Sequence, residues 1–270
     1  MSPITSPDAA APVGRRLSDR LAAQRAAGRS ALVAYLTAGY PDPATSIALM
    51  REVAAAGADV LEVGVPFSDP LADGPIIQRS SQVALAHGVT LARSLELVDE
   101  AALDIPVVLF SYLNPVLAAG PAVLADASAA GVDGLLVTDL PVGADPDREQ
   151  WLGSSALEFV RLVAPTTPAA RMAEIGRHGR GFVYLISRLG VTGERAALPD
   201  DLPSTVARLR LATALPICIG FGISTPDQAQ QAARLGDGVV VGSALVRAAG
   251  ESIGAAVALT RALRAALDAR

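Results

Sequence analysis

The sequence contains no lysine, so all 22 of its basic residues are arginine. Without a side-chain amine, the chain cannot form a Schiff base with a carbonyl substrate or with pyridoxal phosphate, and it lacks the lysine of a Walker-type nucleotide site. The single cysteine, Cys218, excludes a disulfide framework. One cysteine and two histidines also exclude multi-cysteine and three-histidine metal sites, and we expect neither a metal nor a cofactor in this chain.

Excess positive charge and long apolar runs are also missing. A formal net charge of −5 argues against non-specific nucleic-acid binding, which needs a basic surface. No apolar run approaches the roughly 20 residues of a membrane span. Residues 1–14 are rich in Pro, Ala and Ser and lack the apolar stretch of a signal peptide. We predict a flexible tail over residues 1–14, one catalytic domain over residues 15–270, and a cytoplasmic protein that acts on a small molecule.

Eight short apolar segments, most followed by helical patterns, are typical of a parallel sheet that is covered on both faces. The predicted strands are Leu32–Leu36, Val60–Val65, Val107–Ser111, Leu135–Val137, Leu157–Val163, Phe182–Ile186, Ile217–Ile219 and Val239–Val241. This alternation predicts an α/β fold, a single (β/α)8 TIM barrel, with an extra N-terminal helix at Arg16–Ala27. A doubly wound sheet is disfavoured because no Gly-x-Gly-x-x-Gly follows the first strand. The long connections Pro66–His87 and Ser187–Asp200 are candidate lids.

Glycines end predicted strands 7 and 8, where barrels frequently bind phosphate. Gly222 and Gly242 allow backbone amides to approach an oxyanion, and Ser243 adds a hydroxyl at a helix start. Gly193, in the connection after strand 6, is a further candidate. A tight turn explains each glycine taken singly. The two strand ends together predict a phosphate site built from neutral donors.

One carboxylate interrupts an otherwise apolar strand. Glu62 would lose several kcal/mol of hydration there unless it is paired or hydrogen-bonded. It is therefore either half of a structural ion pair or a carboxyl group with a raised pKa that transfers protons. Asp69 and Asp73 follow in the next connection, where turn formation explains either one alone. A second carboxylate in the same pocket would supply the donor and acceptor that carbon–carbon cleavage without metal or lysine requires. Asp139, after strand 4, is a weaker candidate, since a turn or cap explains it.

Tyrosines lie within or at the ends of three predicted strands. Tyr35 is in strand 1, Tyr112 follows strand 3 and Tyr184 is in strand 6. Aromatic side chains at such positions are more often core than catalytic, but at the rim of a barrel they would wall a flat apolar substrate.

The segment Leu61–Pro75 resembles the signature segment of the tryptophan synthase alpha subunit family. The similarity continues in family order through Tyr112–Pro115, Val137–Pro141, Tyr184–Gly193, Gly220–Ser224 and Gly242–Ala244, and it covers the chain from about Leu17 to its C-terminus. The resemblance implies a TIM barrel that cleaves indole-3-glycerol phosphate in a retro-aldol reaction. The products would be indole and D-glyceraldehyde 3-phosphate, in L-tryptophan biosynthesis.

The resemblance also implies roles for individual residues. Glu62 would protonate indole C3 and help to deprotonate the glycerol hydroxyl, while Asp73 would accept the indole N–H. Tyr184 would complete the catalytic group. The other implied residues are the phosphate ligands Gly193, Gly222, Gly242 and Ser243, the indole-pocket residues Tyr35, Tyr112 and Phe221, and the loop residues Arg188 and Thr192. Tyr35 stands where the family often has Phe.

A partner is implied as well: the tryptophan synthase beta subunit, which holds pyridoxal phosphate and receives indole in an αββα heterotetramer. The implied contact surface lies around Asp69 and Pro70 and around Asn114 and Pro115. Two alternatives stay open. One is a phosphate-binding regulatory barrel without turnover, against which the presence of both Glu62 and Asp73 argues. The other is a stand-alone lyase. Barrels that synthesise indole-glycerol phosphate or isomerise triose phosphates need lysine and are disfavoured.

Overall fold

The computed structural model describes residues 16–186, 198–220 and 222–269. Its strands are β1 (Ala31–Thr37), β2 (Val60–Gly64), β3 (Val107–Ser111), β4 (Gly134–Val137), β5 (Glu158–Val163), β6 (Val183–Ile186), β7 (Ile217–Gly220) and β8 (Gly238–Val241). They are all parallel and close into a barrel in chain order, with β8 paired to β1. The predicted TIM barrel is confirmed.

Helices surround the barrel and connect its strands. Within the described residues they are α1 (Arg16–Ala26), α2 (Pro43–Ala55), α3 (Pro75–Ala86), α4 (Leu91–Ala101), α5 (Leu113–Ala118), α6 (Val123–Ala129), α7 (Pro146–Gly153), α8 (Ala169–His178), α9 (Leu202–Ala212), α10 (Pro226–Ala233), α11 (Ser243–Glu251) and α12 (Ile253–Asp268). In this part of the chain, no helix has the length and apolarity needed to cross a membrane.

The strands are apolar on both faces because each face packs against a different part of the core. Leu61 and Leu109 belong to the large cluster between the sheet and the outer helices. Val60 and Val108 belong to a second cluster that fills the barrel interior. This double burial explains why the strands show continuous apolar runs rather than alternation.

Helix α1 closes the N-terminal end of the barrel. Its Leu17 and Leu21 are buried in the interior cluster together with Phe182. The Ser18 amide donates to Glu158, the first residue of β5, at 2.9 Å. The floor of the barrel is therefore filled, and the open end is the one where the strands finish.

Two connections differ from the predicted pattern. The stretch after β2 was expected to run as a long connection to His87, but α3 begins inside it at Pro75. Proline suits the first turn of a helix, because its missing N–H would have no partner there. After β3 the chain forms two short helices, α5 and α6, that the periodicity did not indicate. The predicted tail and the site candidates Arg188, Thr192, Gly193 and Phe221 lie outside the described residues.

Candidate active site

A cavity opens at the end of the barrel where the strands finish. The residues that line it are Tyr35, Glu62, Asp73, Ile77, Phe110, Tyr184, Gly222, Ile223, Ser224, Val240, Gly242, Ser243 and Ala244. The described site candidates outside this group are Tyr112, Asp69 and Asp139. Residues far apart in the chain, from β1 to α11, thus meet in one pocket that has carboxyl groups, aromatic rings and the start of a helix.

Glu62 points into the barrel from β2. It lies beside Tyr35 and Val108 in the strand register, on the strand face that also carries the interior residue Val60. The side chain is buried, and burial raises the pKa of Glu62 to about 8. Its Oε1 has no hydrogen-bond partner among the described residues, and no arginine in that part of the chain forms an ion pair with it. The geometry therefore favours a protonated carboxyl group over a structural ion pair.

Asp73 reaches the same cavity from the loop between β2 and α3. Its backbone N–H donates to Pro70 O at 3.1 Å, and its carbonyl accepts from Gln78 Nε2 at 2.8 Å. The Tyr112 hydroxyl donates to Asp73 Oδ2 at 3.0 Å. Burial raises the pKa of Asp73 to about 6, and the Tyr112 hydrogen bond works against that rise. At neutral pH this carboxyl group is ionised while that of Glu62 is protonated.

Tyr35 and Tyr184 both line the cavity, and burial raises the pKa of both phenols well above the ordinary value. Each hydroxyl occupies space that a side chain would otherwise fill. A Cβ at Gly64 would collide with the Tyr35 hydroxyl, and a Cβ at Gly220 with that of Tyr184. These two glycines are required by the close approach of the rings, a role that sequence reasoning missed.

Phe110 is a lining residue that sequence reasoning also missed. Its ring packs edge-on against Tyr35, with ring centroids 5.3 Å apart and an interplanar angle of 81°. Phe110 lies two residues beyond Val108, which is in the interior cluster, so both project from the same face of β3. That two-residue spacing was the available signal. Together with Tyr35 and Tyr184, Phe110 gives the cavity aromatic, apolar walls.

Another part of the cavity wall is built from backbone. Gly222 has φ +86°, a conformation that residues with a side chain rarely adopt. Gly242 precedes α11, and no side chain within the described residues caps that helix. The first-turn N–H groups of a helix lack intrahelical partners and carry partial positive charge. With Ser243 and Ser224 also lining the wall, this region fits an anion such as phosphate.

Tyr112 and Asp139 occupy positions outside the cavity wall. Tyr112 lies behind Asp73, in contact with its carboxylate, and is not among the described lining residues. Asp139 accepts from the Leu113 N–H at 2.7 Å and so supports the start of α5. This contact agrees with the capping duty considered for Asp139 from the sequence.

The fold and cavity define a class of protein: a (β/α)8-barrel enzyme with a cavity that suits an anionic, partly flat substrate and offers one protonated and one ionised carboxyl group. A model of the family described as "Tryptophan synthase alpha chain" matches residues 21–267. The chain belongs to the tryptophan synthase alpha chain family.

Individual relatives agree with this assignment. The tryptophan synthase alpha chain of Gluconacetobacter diazotrophicus is 50% identical over 244 residues, which cover 89% of each chain. That of Laribacter hongkongensis is 48% identical over 263 residues, covering 94% of this chain and 99% of the relative. A solved structure of Mycobacterium tuberculosis tryptophan synthase superimposes with a TM-score of 0.87 at 37% identity, covering 95% of this chain and 99% of the other. The resemblance noted in the sequence is thereby confirmed.

Proposed function

We propose that this chain is a carbon–carbon lyase that cleaves indole-3-glycerol phosphate to indole and D-glyceraldehyde 3-phosphate, the reaction of its family in tryptophan biosynthesis. The observation that carries the residue assignment is the buried Glu62 carboxyl group, whose pKa of about 8 contrasts with the pKa of about 6 of Asp73 in the same cavity. A carboxyl group that is protonated at neutral pH is able to donate a proton to carbon, and its conjugate base is able to take one back.

The first step is protonation of the indole ring. Glu62 gives its proton to C3, which becomes sp³, and the ring nitrogen takes on the positive charge of an iminium. Asp73, as a carboxylate, accepts the ring N–H in a hydrogen bond that becomes charge-assisted as this charge develops. Because that bond strengthens between the ground state and the transition state, it accelerates the reaction rather than only tightening binding.

The second step breaks the carbon–carbon bond. The Glu62 carboxylate takes the proton of the hydroxyl on the carbon attached to C3, and that C–O group becomes the aldehyde carbonyl. The electron pair of the breaking bond returns to the ring and neutralises the iminium. Indole and glyceraldehyde 3-phosphate leave, and Glu62 is protonated again. Protons and electrons balance with two carboxyl groups, so no metal or lysine is needed in this proposal.

The rest of the cavity orients the substrate. Tyr35, Phe110 and Tyr184 provide aromatic, apolar walls that suit a flat indole ring. The backbone of Gly222 and the start of α11 at Gly242 and Ser243 suit the phosphate, which is held by neutral donors as a handle. Gly193, Phe221, Arg188 and Thr192 remain predictions from the resemblance, as they lie outside the described residues.

A beta subunit is the proposed partner, in an αββα assembly within the cytoplasm. Pyridoxal phosphate would belong to that subunit, because this chain has no lysine to hold it. The surface proposed from the sequence lies beside the cavity: Asp69 and Asn114 are exposed, and Leu71 is 88% exposed. This exposed surface is accessible to a protein partner.

The assignment is tested by indole release from indole-3-glycerol phosphate. We expect turnover by the purified chain, a strong rise on adding a beta subunit, and a loss of roughly 10²–10⁴-fold in Glu62→Gln and Asp73→Asn. Glu96→Gln and Asp99→Asn, which change exposed carboxylates on α4, should keep full activity. Both site variants should still bind indole-3-propanol phosphate, which lacks the hydroxyl that must lose its proton.

Three outcomes would contradict the proposal. Full activity in Glu62→Gln would remove the proton-transfer role of Glu62. If the wild type binds indole-3-propanol phosphate but does not cleave indole-3-glycerol phosphate, a regulatory barrel would be favoured. Fast turnover that does not respond to a beta subunit would favour a stand-alone lyase.

A further inference from the structure

The hydroxyl of Tyr112 connects two neighbouring parts of the active-site loop. It donates to Asp73 Oδ2 at 3.0 Å and accepts from the Ala72 N–H at 2.9 Å. We propose that Tyr112 is a positioning residue that fixes the Asp73 carboxylate toward the cavity, and that Asp139 holds Tyr112 in place for this purpose. The catalytic part of this inference rests on the proposed function, whereas the positioning itself is testable without turnover.

The geometry suits positioning better than substrate contact. Tyr112 is buried, but it is not among the described residues that line the cavity, whereas Asp73 is. The Tyr112 ring lies against Phe67, with centroids 5.1 Å apart. The loop that carries Asp73 therefore packs on the ring of Tyr112 and also accepts a hydrogen bond from its hydroxyl. A tyrosine held through ring and hydroxyl has few ways to move, and its partner carboxylate is equally restricted.

Asp139 extends this arrangement to a third strand end. Its Oδ1 accepts from the N–H of Leu113, the residue after Tyr112, at 2.7 Å. The Tyr112 carbonyl also accepts from Ser111 Oγ at 2.9 Å. Both contacts hold the peptide group between Tyr112 and Leu113, and the chain of contacts runs from the end of β4, through the end of β3, to Asp73.

The Tyr112 hydroxyl also affects the electrostatic environment of Asp73. The groups that interact electrostatically with Asp73 are Tyr35 from β1, Tyr112 from β3 and Tyr184 from β6, and Glu62 of β2 lines the same cavity. These groups are neutral or acidic. Among the described residues, the Tyr112 hydrogen bond is what lowers the pKa of Asp73 against its burial. Removing the hydroxyl should therefore make the carboxylate harder to ionise.

The direct test is a titration of Asp73 in the ligand-free protein. In Tyr112→Phe, carboxyl ¹³C NMR, with the Asp73 signal assigned by its loss in Asp73→Asn, should show a pKa clearly above the wild-type value. Tyr40→Phe is the matched control: its hydroxyl lies against Gly250, away from Asp73, and the pKa of Asp73 should not change. An unchanged Asp73 pKa in folded Tyr112→Phe would overturn the proposal.

Kinetics supply the second test. In Tyr112→Phe, kcat/KM should fall about 10- to 100-fold at pH 6, the range for a hydrogen bond to a charged group. The acid limb of its pH profile should move to higher pH, because the raised pKa of Asp73 means that a higher pH is needed to ionise its carboxyl group. Asp139→Ala should reproduce part of this shift although it touches nothing in the cavity. Asp139→Asn, which keeps an oxygen for the Leu113 N–H, should show the wild-type pH profile.

The two Asp139 variants keep the proposal testable if Tyr112→Phe fails to fold. If Tyr112→Phe does not fold, equal pH profiles for Asp139→Ala and Asp139→Asn would still reject the proposal. If the wild type releases no indole, the proposed function fails, but the ¹³C titration still decides whether Tyr112 positions Asp73.

Discussion

Glu62 shows how a single buried group is shaped by its surroundings. The carboxyl is almost without solvent contact, and its Oε1 has no partner in the described part of the chain. Ionising it in that environment is unfavourable, so the folded protein holds its proton more tightly than the unfolded chain does. The same property that suits Glu62 to proton donation makes the fold sensitive to alkaline pH.

Glu62→Gln should therefore stabilise the protein selectively at high pH. The pKa of Glu62 is raised from 4.5 to about 8, so wild-type stability falls as the pH rises through this interval, whereas glutamine does not titrate. The gain in unfolding free energy should be on the order of 2–4 kcal/mol larger at pH 9 than at pH 5. Urea unfolding at both pH values measures it, with Glu96→Gln as the control. An equal gain at the two pH values would show that Glu62 is not held protonated.

Some site residues could be predicted from the sequence and others could not. Glu62 was recognisable because a carboxyl in an apolar strand demands a reason, and Asp73 because it followed closely. Phe110 was not recognisable, since strands that are apolar on both faces do not show which residues face inward. The bond between Tyr112 and Asp73 joins positions 39 residues apart and depends on where two side chains point. No pattern within one segment carries that information.

At the scale of elements, strand and helix ends build much of the cavity wall. The strands end at the rim, and residues just beyond two of them line the cavity: Gly222 after β7 and Gly242 after β8. The strands were predicted well because double burial gives a strong signal. Helices α3, α5 and α6 were missed because proline-rich starts and short lengths weaken helical periodicity.

Gly222→Ala should weaken phosphate binding through the backbone alone. With φ +86°, an alanine at this position is strained by roughly 1–2 kcal/mol, and relief of that strain would turn the amides away from the anion. Gly131→Ala is a matched control, because Gly131 has φ +89° in open space away from the cavity. Thermal unfolding should show similar losses for both variants. Only Gly222→Ala should raise the KM for indole-3-glycerol phosphate, and an unchanged KM would contradict a role of this loop in binding.

On the scale of the whole molecule, the two ends of the barrel have different tasks. The end where strands finish holds the cavity. The other end is filled by α1, whose Leu17 lies so close to Gly134 and Gly181 that a Cβ there would sit 3.0 and 2.6 Å from its Cδ2. Charged contacts reinforce this floor: Arg264 of α12 pairs with Asp59 at 2.9 Å, and Asp59 accepts from Leu32 N at 2.9 Å.

Leu17→Ala should destabilise the protein without changing its chemistry. Removing a fully buried leucine leaves a cavity in the interior cluster and should cost about 2–5 kcal/mol of unfolding free energy. Leu211→Ala, at a side chain that is 92% exposed, should change stability by less than about 0.5 kcal/mol. The KM of folded Leu17→Ala should equal that of the wild type. A large rise in KM would mean that the floor and the cavity are not independent.

The filled floor also has a consequence for how such a protein changes over generations. Substitutions that sharpen or redirect the chemistry will usually weaken the fold, as the buried carboxyl group of Glu62 already does. Leu17, Phe182 and their neighbours form a core region at the other end of the barrel. Stabilising replacements can accumulate there without disturbing a reacting atom. Substitutions at the cavity can therefore change specificity, while replacements at the floor of the barrel recover the stability that is lost.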